Sequence, residues 1–352
     1  MYKKRIGIIF GGPSEEHRVS LKSAAAVIRN LNTDKFVLKY IGITKKGEWK
    51  LFNGDIVNIE DGSWEKQAVS IDVSKLHDIM DFALPILHGP YGEDGCIQGF
   101  METIGMPYGG CGVLSSAVCM DKKIFKDIMR QRGIPVCKDI CITAFGVSDD
   151  EEEPLKLDFI EKSIGFPCFV KPVNMGSSVG ISKVKDKKSL LEAIRFASHY
   201  DERIIIEEYI PCRELEIGVM GNAHLEFSRI GEIVHFGDFY DYETKYSCKK
   251  DKTKLVIPAD LKEEDSYEIT KIAAEAYRAV CCCGFARVDF FKDRNTGKIY
   301  INEINTIPGF TDNSMFPLLW KACGRDFPEI TERIIEAGDE RYNAENNRKT
   351  KL

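Results

Sequence analysis

The sequence predicts an α/β protein of three domains, and three observations support this prediction. The apolar run at residues 5–10 precedes a glycine turn and then residues 21–31, whose apolar side chains recur at helical spacing. Segments typical of strands and of helices continue to alternate along much of the chain, as in α/β proteins. The length of 352 residues fits two or three domains of ordinary size.

Composition and charge exclude several classes of protein. The formal net charge of −6 gives no electrostatic footprint for nucleic acid or for an anionic membrane surface. No apolar run approaches the ~18 residues that a membrane-spanning helix needs. The twelve cysteines include no CxxC pair, which favours reduced thiols over a disulfide framework or a zinc site. We therefore expect a cytoplasmic protein that binds neither nucleic acid nor a membrane.

The N-terminal part of the chain is predicted to form one α/β domain over residues 1–120. After the first strand and helix, a second apolar strand at 82–89 is followed by a helix over 96–106. A single amphipathic helix is then predicted over 115–133, with Lys122 in its interior.

The rest of the chain is predicted to form two further domains, at residues 121–211 and 212–352. The first holds two strands joined by the sequence NMGSS, then a helix and a third strand. The second holds a meander of strands, a polar and aromatic loop, a helix, a hairpin and a last helix. In the first of these domains the segments cover, in the order given, residues 168–173, 179–184, 188–200 and 203–210. In the second they cover residues 214–236, 239–254, 264–281, 285–305 and 328–338.

The hairpin predicted near the C-terminus gathers four polar side chains. The sequence NTG is a turn signal, and folding the chain about Thr296 sets Asp289 opposite Glu303. The same arrangement sets Arg287 opposite Asn305. Because side chains alternate between the two faces of a strand, these four residues share one face of the hairpin.

Two carboxylates and an amide at close quarters are typical of a magnesium site. Mg²⁺ favours one or two carboxylates together with phosphate oxygens and waters. Asp289, Glu303 and Asn305 are therefore candidate ligands, and Arg287 is a candidate partner for an oxyanion beside the metal. The alternative is a structural cluster of salt bridges, which is disfavoured because buried carboxylates without compensation are costly.

Three further stretches are candidates for binding a nucleotide. The loop at 174–178, flanked by Lys171 and Lys183, can close over phosphates, with a plain turn as the alternative. Glu207 and Glu214 lie near the end of an apolar strand, where they could accept hydrogen bonds from adenine and ribose or be solvated surface. The aromatic sequence YDYETKY could form a lid. The chain contains neither a Walker A motif nor a dinucleotide fingerprint.

Taken in order, seven segments of the chain resemble the D-alanine–D-alanine ligases of the ATP-grasp superfamily. They are FGGPSEEHRVSLKSA, LHGPYGEDGCIQG, SSAVCMDK, VKPVNMGSSVGISKV, FYDYETKY, ARVDFF and NEINTIPGFTDNSMFP. The resemblance extends over residues 5–320. It implies a three-domain ATP-grasp architecture, with an N-terminal Rossmann-like α/β domain followed by two ATP-grasp subdomains of α+β type.

The resemblance also implies roles for individual residues. Glu16 corresponds to the residue that holds the ammonium group of the first D-alanine, with His88 at the same end of the site. Ser177 and Tyr246 correspond to the residues that link the glycine-rich loop and the lid loop over the site together with Glu16. The residues that correspond to ATP contacts are Lys122, Lys171, Glu207, Glu214 and Lys245, and those that correspond to magnesium ligands are Asp289, Glu303 and Asn305. Arg287 and the Gly309 backbone correspond to the groups that stabilise the oxyanion. Ser314 and Met315 correspond to the pocket for the carboxylate of the second substrate.

The activity that the resemblance implies is ATP-dependent ligation of two D-alanines through a D-alanyl phosphate intermediate. The product, D-alanyl-D-alanine, would enter peptidoglycan synthesis, and so cell-wall biogenesis and cell shape. The resemblance further implies two Mg²⁺ ions, for which Mn²⁺ could substitute, and a homodimer.

Three alternatives stay open. The first is a D-alanine–D-serine ligase of the vancomycin-resistance type, although such enzymes tend to carry Arg where this chain has the apolar Met315. D-lactate as second substrate is disfavoured because Tyr246 is present where D-lactate ligases use His. The second alternative is another ATP-grasp carboxylate–amine ligase. The third is a catalytically inactive ATP-binding sensor, which would be expected to have lost magnesium ligands that this chain keeps.

Overall fold

Three β-sheets, each built from a different stretch of the chain, organise the molecule. The computed structural model describes residues 2–143, 157–176, 179–235 and 253–349. The N-terminal sheet contains strands β1 to β5, the central sheet β6 to β9, and the C-terminal sheet β10 to β14. We propose that the three domains follow the predicted division at 1–120, 121–211 and 212–352, because each of these ranges contains the strands of one sheet.

The N-terminal sheet has the strand order β4-β3-β2-β1-β5. Strands β1, β2 and β5 are parallel, β3 pairs antiparallel with β2, and β4 pairs antiparallel with β3 at the edge of the sheet. The strands are Lys4–Gly11, Phe36–Ile43, Trp49–Phe52, Val69–Ser70 and Phe82–Ile86, and the helices α1 to α4 are His17–Asn30, Ile56–Asp61, Leu76–Ile79 and Cys96–Thr103. The predicted opening of strand, glycine turn and helix is confirmed.

The position of β1 between β2 and β5 creates a crevice at the carboxyl ends of these strands. The chain leaves β1 through residues 12–16 and leaves β5 through residues 87–95. Ligands of open α/β sheets bind at such points, where the strand order reverses. Both loops carry residues of the candidate site.

The central sheet is antiparallel, with the order β6-β9-β7-β8. Its strands are Asp139–Thr143, Cys168–Pro172, Ser182–Val184 and Arg203–Glu208. Helices α5 (Val113–Met120) and α6 (Lys122–Gln131) precede it, and α7 (Leu157–Ile164) and α8 (Lys187–Ser198) belong to it. Apolar side chains of α7 and α8 pack with those of β7 and β9 in a separate small core.

The prediction of a single helix over 115–133 is wrong, because the helix is interrupted at Asp121. This residue has an extended backbone, and its carboxylate accepts a hydrogen bond from the Ile124 N–H at 2.8 Å, which caps α6. The Lys122 N–H is also drawn away, since it donates to the Val173 carbonyl oxygen. Lys122 is therefore the first residue of α6 and does not lie in a helix interior.

The C-terminal sheet is antiparallel, with the order β12-β11-β10-β13-β14. Its strands β10 to β14 are Cys212–Gly221, Leu225–His235, Thr253–Val256, Phe285–Asp293 and Ile299–Asn305. The helices α9 to α11 are Glu263–Ala279, Met315–Lys321 and Phe327–Lys349. The helix α9 packs its buried face on this sheet.

The last helix does not end at residue 338 as the sequence suggests, but continues to residue 349. Gly338 lies inside α11 because the helix passes very close to the N-terminal sheet. A Cβ atom at this position would lie 2.5 Å from the Tyr108 carbonyl oxygen and 2.6 Å from the Phe82 ring. This glycine therefore serves packing, which sequence alone cannot distinguish from helix termination.

The N-terminal and C-terminal parts of the chain share one hydrophobic core. Ile330 and Ile334 of α11, together with Phe316, belong to the same buried cluster as Phe82 and Ile6 of the N-terminal sheet. The shared core fixes the loop before α10 relative to the crevice at β1 and β5. Among the described residues, no helix is both long and apolar enough to cross a membrane.

Candidate active site

The C-terminal hairpin pairs its four polar residues as predicted. Arg287 on β13 lies opposite Asn305 on β14, and Asp289 lies opposite Glu303. Nearer the turn the register is shifted by one residue, because a β-bulge follows Asp289 and places an extra residue in β14. The predicted pairs are therefore correct at the site, although the hairpin as a whole is not symmetric about Thr296.

The bulge explains the irregular pattern INEIN at the end of β14. In a regular strand Ile301 and Glu303 would share a face, because side chains two residues apart do. The extra residue, Asn302, shifts the alternation, so Ile301 and Ile304 are both buried while Glu303 is only partly buried. The bulge thus turns the polar side chains to the opposite face from the core.

Arg287 lies between two carboxylates. Its Nε and Nη2 donate to the two carboxylate oxygens of Asp289 at 2.7 and 2.8 Å, and its Nε lies 2.9 Å from Glu216 Oε2. The Asn305 amide Nδ2 also donates to Asp289 Oδ2, at 2.9 Å. Burial opposes the charge of Arg287, yet Asp289 and Glu216 hold its pKa above the ordinary value. The guanidinium group is therefore fixed and cationic.

The hairpin offers hard oxygen donors to a cation. No group of three or more His, Cys, Asp or Glu side chains with metal-binding geometry occurs among the residues that the structure describes. Asp289 and Glu303 supply two carboxylates from directly opposite positions, and Asn305 adds an amide. This donor set fits a cation such as Mg²⁺, which takes few protein ligands and completes its shell with phosphate and water.

Lys122 joins the hairpin to the glycine-rich loop that follows β7. Its Nζ donates to the Met175 carbonyl oxygen at 2.6 Å and lies 3.8 Å from Glu303 Oε2. The cap at Asp121 places Lys122 at the very start of α6, from where its side chain reaches both elements. A phosphate group between the central sheet and the hairpin would therefore meet this charge directly.

A buried cluster of two lysines and one carboxylate lies beside the middle of α6. Lys171 Nζ on β7 donates to Glu207 Oε2 at 2.7 Å, and Lys126 Nζ lies 3.1 Å from Glu207 Oε1. Burial opposes the charge of Glu207, but the two lysines hold its pKa well below the ordinary value. Glu207 is thus ionised in the wall of the site.

Glu214 lies at the beginning of β10, just beyond the short connection from β9. Its Oε2 is 3.1 Å from His235 Nε2 on the neighbouring strand β11. The side chain is 40% exposed, so it remains accessible to a ligand. Glu207 and Glu214 therefore follow one another from the central sheet into the C-terminal sheet.

Glu16 lies where the loops after β1, β5 and β7 meet. Its side chain is buried just before α1, at the carboxyl ends of the N-terminal strands. Its Oε2 is so close to Gly89 and Gly176 that a Cβ atom there would lie 2.5 Å or 2.8 Å from it. Glycine at both positions lets the loop after β5 and the glycine-rich loop close on the carboxylate.

His88 connects the N-terminal domain to the loop before α10. Its Nδ1 donates to the Ile307 carbonyl oxygen at 3.0 Å, so Nε2 of the neutral ring accepts from the Ser23 hydroxyl at 2.9 Å. Ser23 Oγ in turn accepts the Phe310 N–H at 3.3 Å. Burial lowers the pKa of His88, against the opposing effect of Glu16. His88 therefore holds the backbone on both sides of Gly309 in place.

Glu93 is a residue of this site that the sequence did not reveal. Its two carboxylate oxygens accept the Gly89 N–H at 2.7 Å and the Ile307 N–H at 3.4 Å. Burial and the nearby Glu16 carboxylate raise the pKa of Glu93 to about 8. It ties the loop after β5 to the loop before α10, next to the tie made by His88.

Gly309 and Ser314 lie together in the loop before α10. Ser314 Oγ accepts the Thr311 N–H at 3.0 Å, and a Cβ atom at Gly309 would lie 3.2 Å from it. Met315 begins α10 and is buried, with its Sδ packed so closely on Gly231 of β11 that a Cβ there would lie 2.8 Å away. The predicted pocket residues are therefore neighbours, although Met315 faces the C-terminal sheet.

Three predicted site residues, Ser177, Lys245 and Tyr246, lie outside the described residues. The other residues lie at the Glu16 crevice, at the lysine cluster around Glu207 and the strand that follows it, on the hairpin, or at the start of α10, and Lys122 contacts both the hairpin and the glycine-rich loop. Besides Glu93, sequence reasoning missed Lys126 and Glu216. Glu216 alternates with Glu214 in the strand ELEIGV, and this period of two was the available signal.

Comparison with protein families gives two matches that together cover most of the chain. Residues 5–111 match the family described as D-ala D-ala ligase N-terminus, and residues 128–336 match D-ala D-ala ligase C-terminus. Proteins named D-alanine–D-alanine ligase from Thermoanaerobacter sp. and Acetivibrio thermocellus are each 44% identical to this chain. Both alignments cover 97% of this chain, and they cover 98% and 97% of the two relatives.

Two solved structures have closely similar folds. The VanG D-Ala:D-Ser ligase from Enterococcus faecalis matches with a TM-score of 0.85 and 38% identity, over 96% of this chain and 100% of that one. The D-alanine–D-alanine ligase from Coxiella burnetii matches with a TM-score of 0.85 and 32% identity, over 99% of this chain and 97% of that one.

Proposed function

The chain belongs to the D-alanine–D-alanine ligase family, and on that premise we propose that it joins two D-alanines in a reaction driven by ATP. The products are D-alanyl-D-alanine, ADP and phosphate, and the dipeptide serves peptidoglycan synthesis, cell-wall biogenesis and cell shape. The observation that supports this most strongly is the hairpin face shared by Arg287, Asp289, Glu303 and Asn305 beside Lys122. An inactive sensor would have no need of this full set.

Asp289, Glu303 and Asn305 are proposed to hold two Mg²⁺ ions, with phosphate oxygens and waters as the remaining ligands. The donor chemistry supports this proposal, because all three side chains offer hard oxygen atoms. When bound, magnesium neutralises phosphate charge and orients the oxygens between which the phosphoryl group moves. Mn²⁺ prefers similar donors and is proposed as a substitute.

In the first step, the γ-phosphoryl group of ATP is transferred to the carboxylate of the first D-alanine, giving ADP and D-alanyl phosphate. Lys122 and Lys171 are proposed to contact the phosphates. Glu207 is proposed to accept from the adenine amino group and Glu214 from the ribose hydroxyls. Glu16 holds the ammonium group of the D-alanine. Positioning and charge neutralisation of this kind are the main contributions of a protein to phosphoryl transfer.

In the second step, the amine of the second D-alanine attacks the acyl carbon. The carbon–nitrogen bond forms, the amine loses a proton, and phosphate leaves as its bond to the acyl carbon breaks. Arg287 and the Gly309 N–H are proposed to stabilise the tetrahedral oxyanion. Ser314 is proposed to bind the second carboxylate, and His88 acts through Ile307 to position this loop.

Ser177, Lys245 and Tyr246 are proposed to help close the site, as the resemblance implies. Closure matters because water would hydrolyse the D-alanyl phosphate. The close approach of Gly176 to Glu16 supports this role for the glycine-rich loop.

Replacing Gly176 by alanine tests the fit of this loop. The new Cβ would lie 2.8 Å from Glu16 Oε2, so the loop or the carboxylate must shift. We expect kcat/KM for D-alanine to fall about tenfold or more, since small displacements of positioning groups have large effects. Gly99→Ala is the control, because its Cβ would meet nothing closer than Val113 at 3.8 Å. Equal kinetics for the two variants would contradict the proposed role of the loop.

D-serine is the second candidate for the second substrate, because the VanG D-Ala:D-Ser ligase is among the similar structures. The resemblance leads us to propose that Met315 favours D-alanine, since an apolar side chain suits a methyl group, although its Sδ packs on Gly231 of β11. Such a pocket rejects an added hydroxyl only weakly, by about 10²-fold.

Met315→Arg is expected to raise the ratio of D-alanyl-D-serine to D-alanyl-D-alanine, because a guanidinium group can hydrogen-bond the D-serine hydroxyl. The ratio is measured by mass spectrometry of the products formed from equimolar D-alanine and D-serine. Met315→Leu keeps an apolar side chain of similar size on Gly231, so its ratio should match the wild type. If the arginine variant gives the same ratio as the leucine variant, Met315 does not set selectivity.

The decisive test of the proposed function is the same competition with the wild-type chain, ATP and Mg²⁺, monitored by phosphate release. Predominant D-alanyl-D-alanine supports the proposal. Predominant D-alanyl-D-serine moves the enzyme to the resistance type, and absence of either dipeptide overturns the ligase assignment. The resemblance also leads us to propose that the protein forms a homodimer. Because the proposed reaction uses ATP, we propose a cytoplasmic location.

A further inference from the structure

Lys126 is a buried cation that the proposed mechanism does not use. Only 1% of its surface is exposed, and it is one of the largest fully buried side chains among the described residues. Its Nζ lies 3.1 Å from Glu207 Oε1 and donates to Cys137 Sγ at 3.0 Å. A buried ammonium group is costly unless it is paired and hydrogen-bonded. Its place in the fold therefore depends on Glu207.

The two lysines on Glu207 differ in what a nucleotide would do to them. Lys171 lies on β7, and the proposed function assigns it to the phosphates of ATP, which would draw it away from Glu207. Lys126 lies on the buried face of α6, where its Nζ contacts only Cys137 and Glu207 among the contacts that the described residues show. On the proposed function, Lys126 is therefore the cation expected to stay on Glu207 when ATP is bound.

We propose that Lys126 is a positioning residue that makes the site selective for adenine, by keeping Glu207 ionised and fixed in orientation. This inference rests on the proposed function, in which Glu207 contacts the adenine 6-amino group. An ionised carboxylate only accepts hydrogen bonds, so it pairs with a 6-amino group and opposes a 6-oxo group. A protonated carboxyl group could donate to a 6-oxo group, and once Lys126 is lost and Lys171 has turned to the phosphates, the burial of Glu207 would favour that form.

The test compares kcat/KM for ATP and for inosine triphosphate, which carries a 6-oxo group. The wild type should prefer ATP, and Lys126→Met should reduce the ratio of the two kcat/KM values about tenfold, the effect of one hydrogen bond. Lys126→Gln removes the charge but keeps a hydrogen-bond donor, and its ratio should fall in the same direction. This second variant serves if the methionine variant does not fold.

Two further variants show whether Lys126 acts through Glu207. Adding Lys126→Met to Glu207→Gln should leave the ratio of the single Glu207→Gln variant unchanged. Lys123→Met is the matched control, because Lys123 lies on the same helix but pairs with Asp127 and Asp139 at 2.6 and 3.0 Å. Its ratio should equal that of the wild type.

The outcomes separate this inference from the proposed function. A wild type that prefers ATP strongly, with the same preference in Lys126→Met or Lys126→Gln, overturns the role of Lys126 and leaves the ligase assignment intact. A wild type that forms dipeptide without preferring ATP overturns the contact between Glu207 and adenine, and with it this inference. A wild type that forms no dipeptide with either nucleotide overturns the proposed function itself.

Discussion

Glu303→Gln is expected to lower the turnover of dipeptide synthesis by about three orders of magnitude, because it removes a proposed magnesium ligand. A metal ion that neutralises phosphate charge contributes several kcal/mol to the transition state, and each 1.36 kcal/mol is about tenfold in rate. Glu303 lies directly opposite Asp289, the other carboxylate of the hairpin. Its side chain is 28% exposed, so the fold depends little on its charge.

The measurement is phosphate release at saturating D-alanine over a range of Mg²⁺ concentrations, together with urea unfolding. We expect the free energy of unfolding to stay close to that of the wild type. Asp265→Asn is the control, because it removes an ion pair with Lys292 of β13 without touching the hairpin face. Near-normal turnover in Glu303→Gln would remove Glu303 from the metal site.

Arg287→Lys is expected to reduce kcat by about 10²–10³-fold, the usual effect of losing one oxyanion donor. Lysine keeps the positive charge but lacks the planar fork that contacts both oxygens of Asp289 and also Glu216. Because the charge remains among these carboxylates, the variant should fold. The ammonium group would be held by one partner at a time, and not where the oxyanion forms.

The readout separates kcat from KM, since an interaction made only in the transition state affects kcat and leaves KM for D-alanine nearly unchanged. Arg213→Lys is the matched control. Arg213 forms the same kind of two-point ion pair, with Glu232 on β11, and it lies opposite Lys292 of β13 and not opposite Arg287. If both variants lose activity equally, the effect belongs to sheet stability and not to the oxyanion.

The sequence predicted the hairpin site because its information is local. A turn signal and the alternation of side chains were enough to pair Arg287 with Asn305 and Asp289 with Glu303. The β-bulge was not predicted, since it depends on how β14 packs against the core. The spacing of Ile301 and Ile304 nevertheless indicates the bulge. The two buried residues are three positions apart, whereas buried residues on one face of a regular strand are two or four positions apart.

What the sequence could not reveal depends on partners far along the chain. Lys126 reads as one charge of an amphipathic helix, and only tertiary packing turns it inward toward Glu207, 81 positions away. In the sequence Glu93 is one of two acidic residues in a loop, and only its hydrogen bond from the distant Ile307 N–H identifies it as part of the site. The break at Asp121 likewise follows from Val173, whose carbonyl oxygen takes the Lys122 N–H. The sequence pattern predicts that a helix or strand exists, whereas tertiary contacts determine where it ends and what its side chains do.

The ion pair between Lys122 and Glu303 has a consequence for the proposed binding of ATP and magnesium. The Lys122–Glu303 pair joins a group proposed to contact phosphate to a group proposed to hold magnesium. When Lys122 turns to the phosphates of ATP it releases Glu303 for the metal, and when Glu303 takes the metal it releases Lys122 for the nucleotide. We therefore propose that ATP and magnesium bind with positive cooperativity, and linkage requires that each raises the affinity for the other by the same factor.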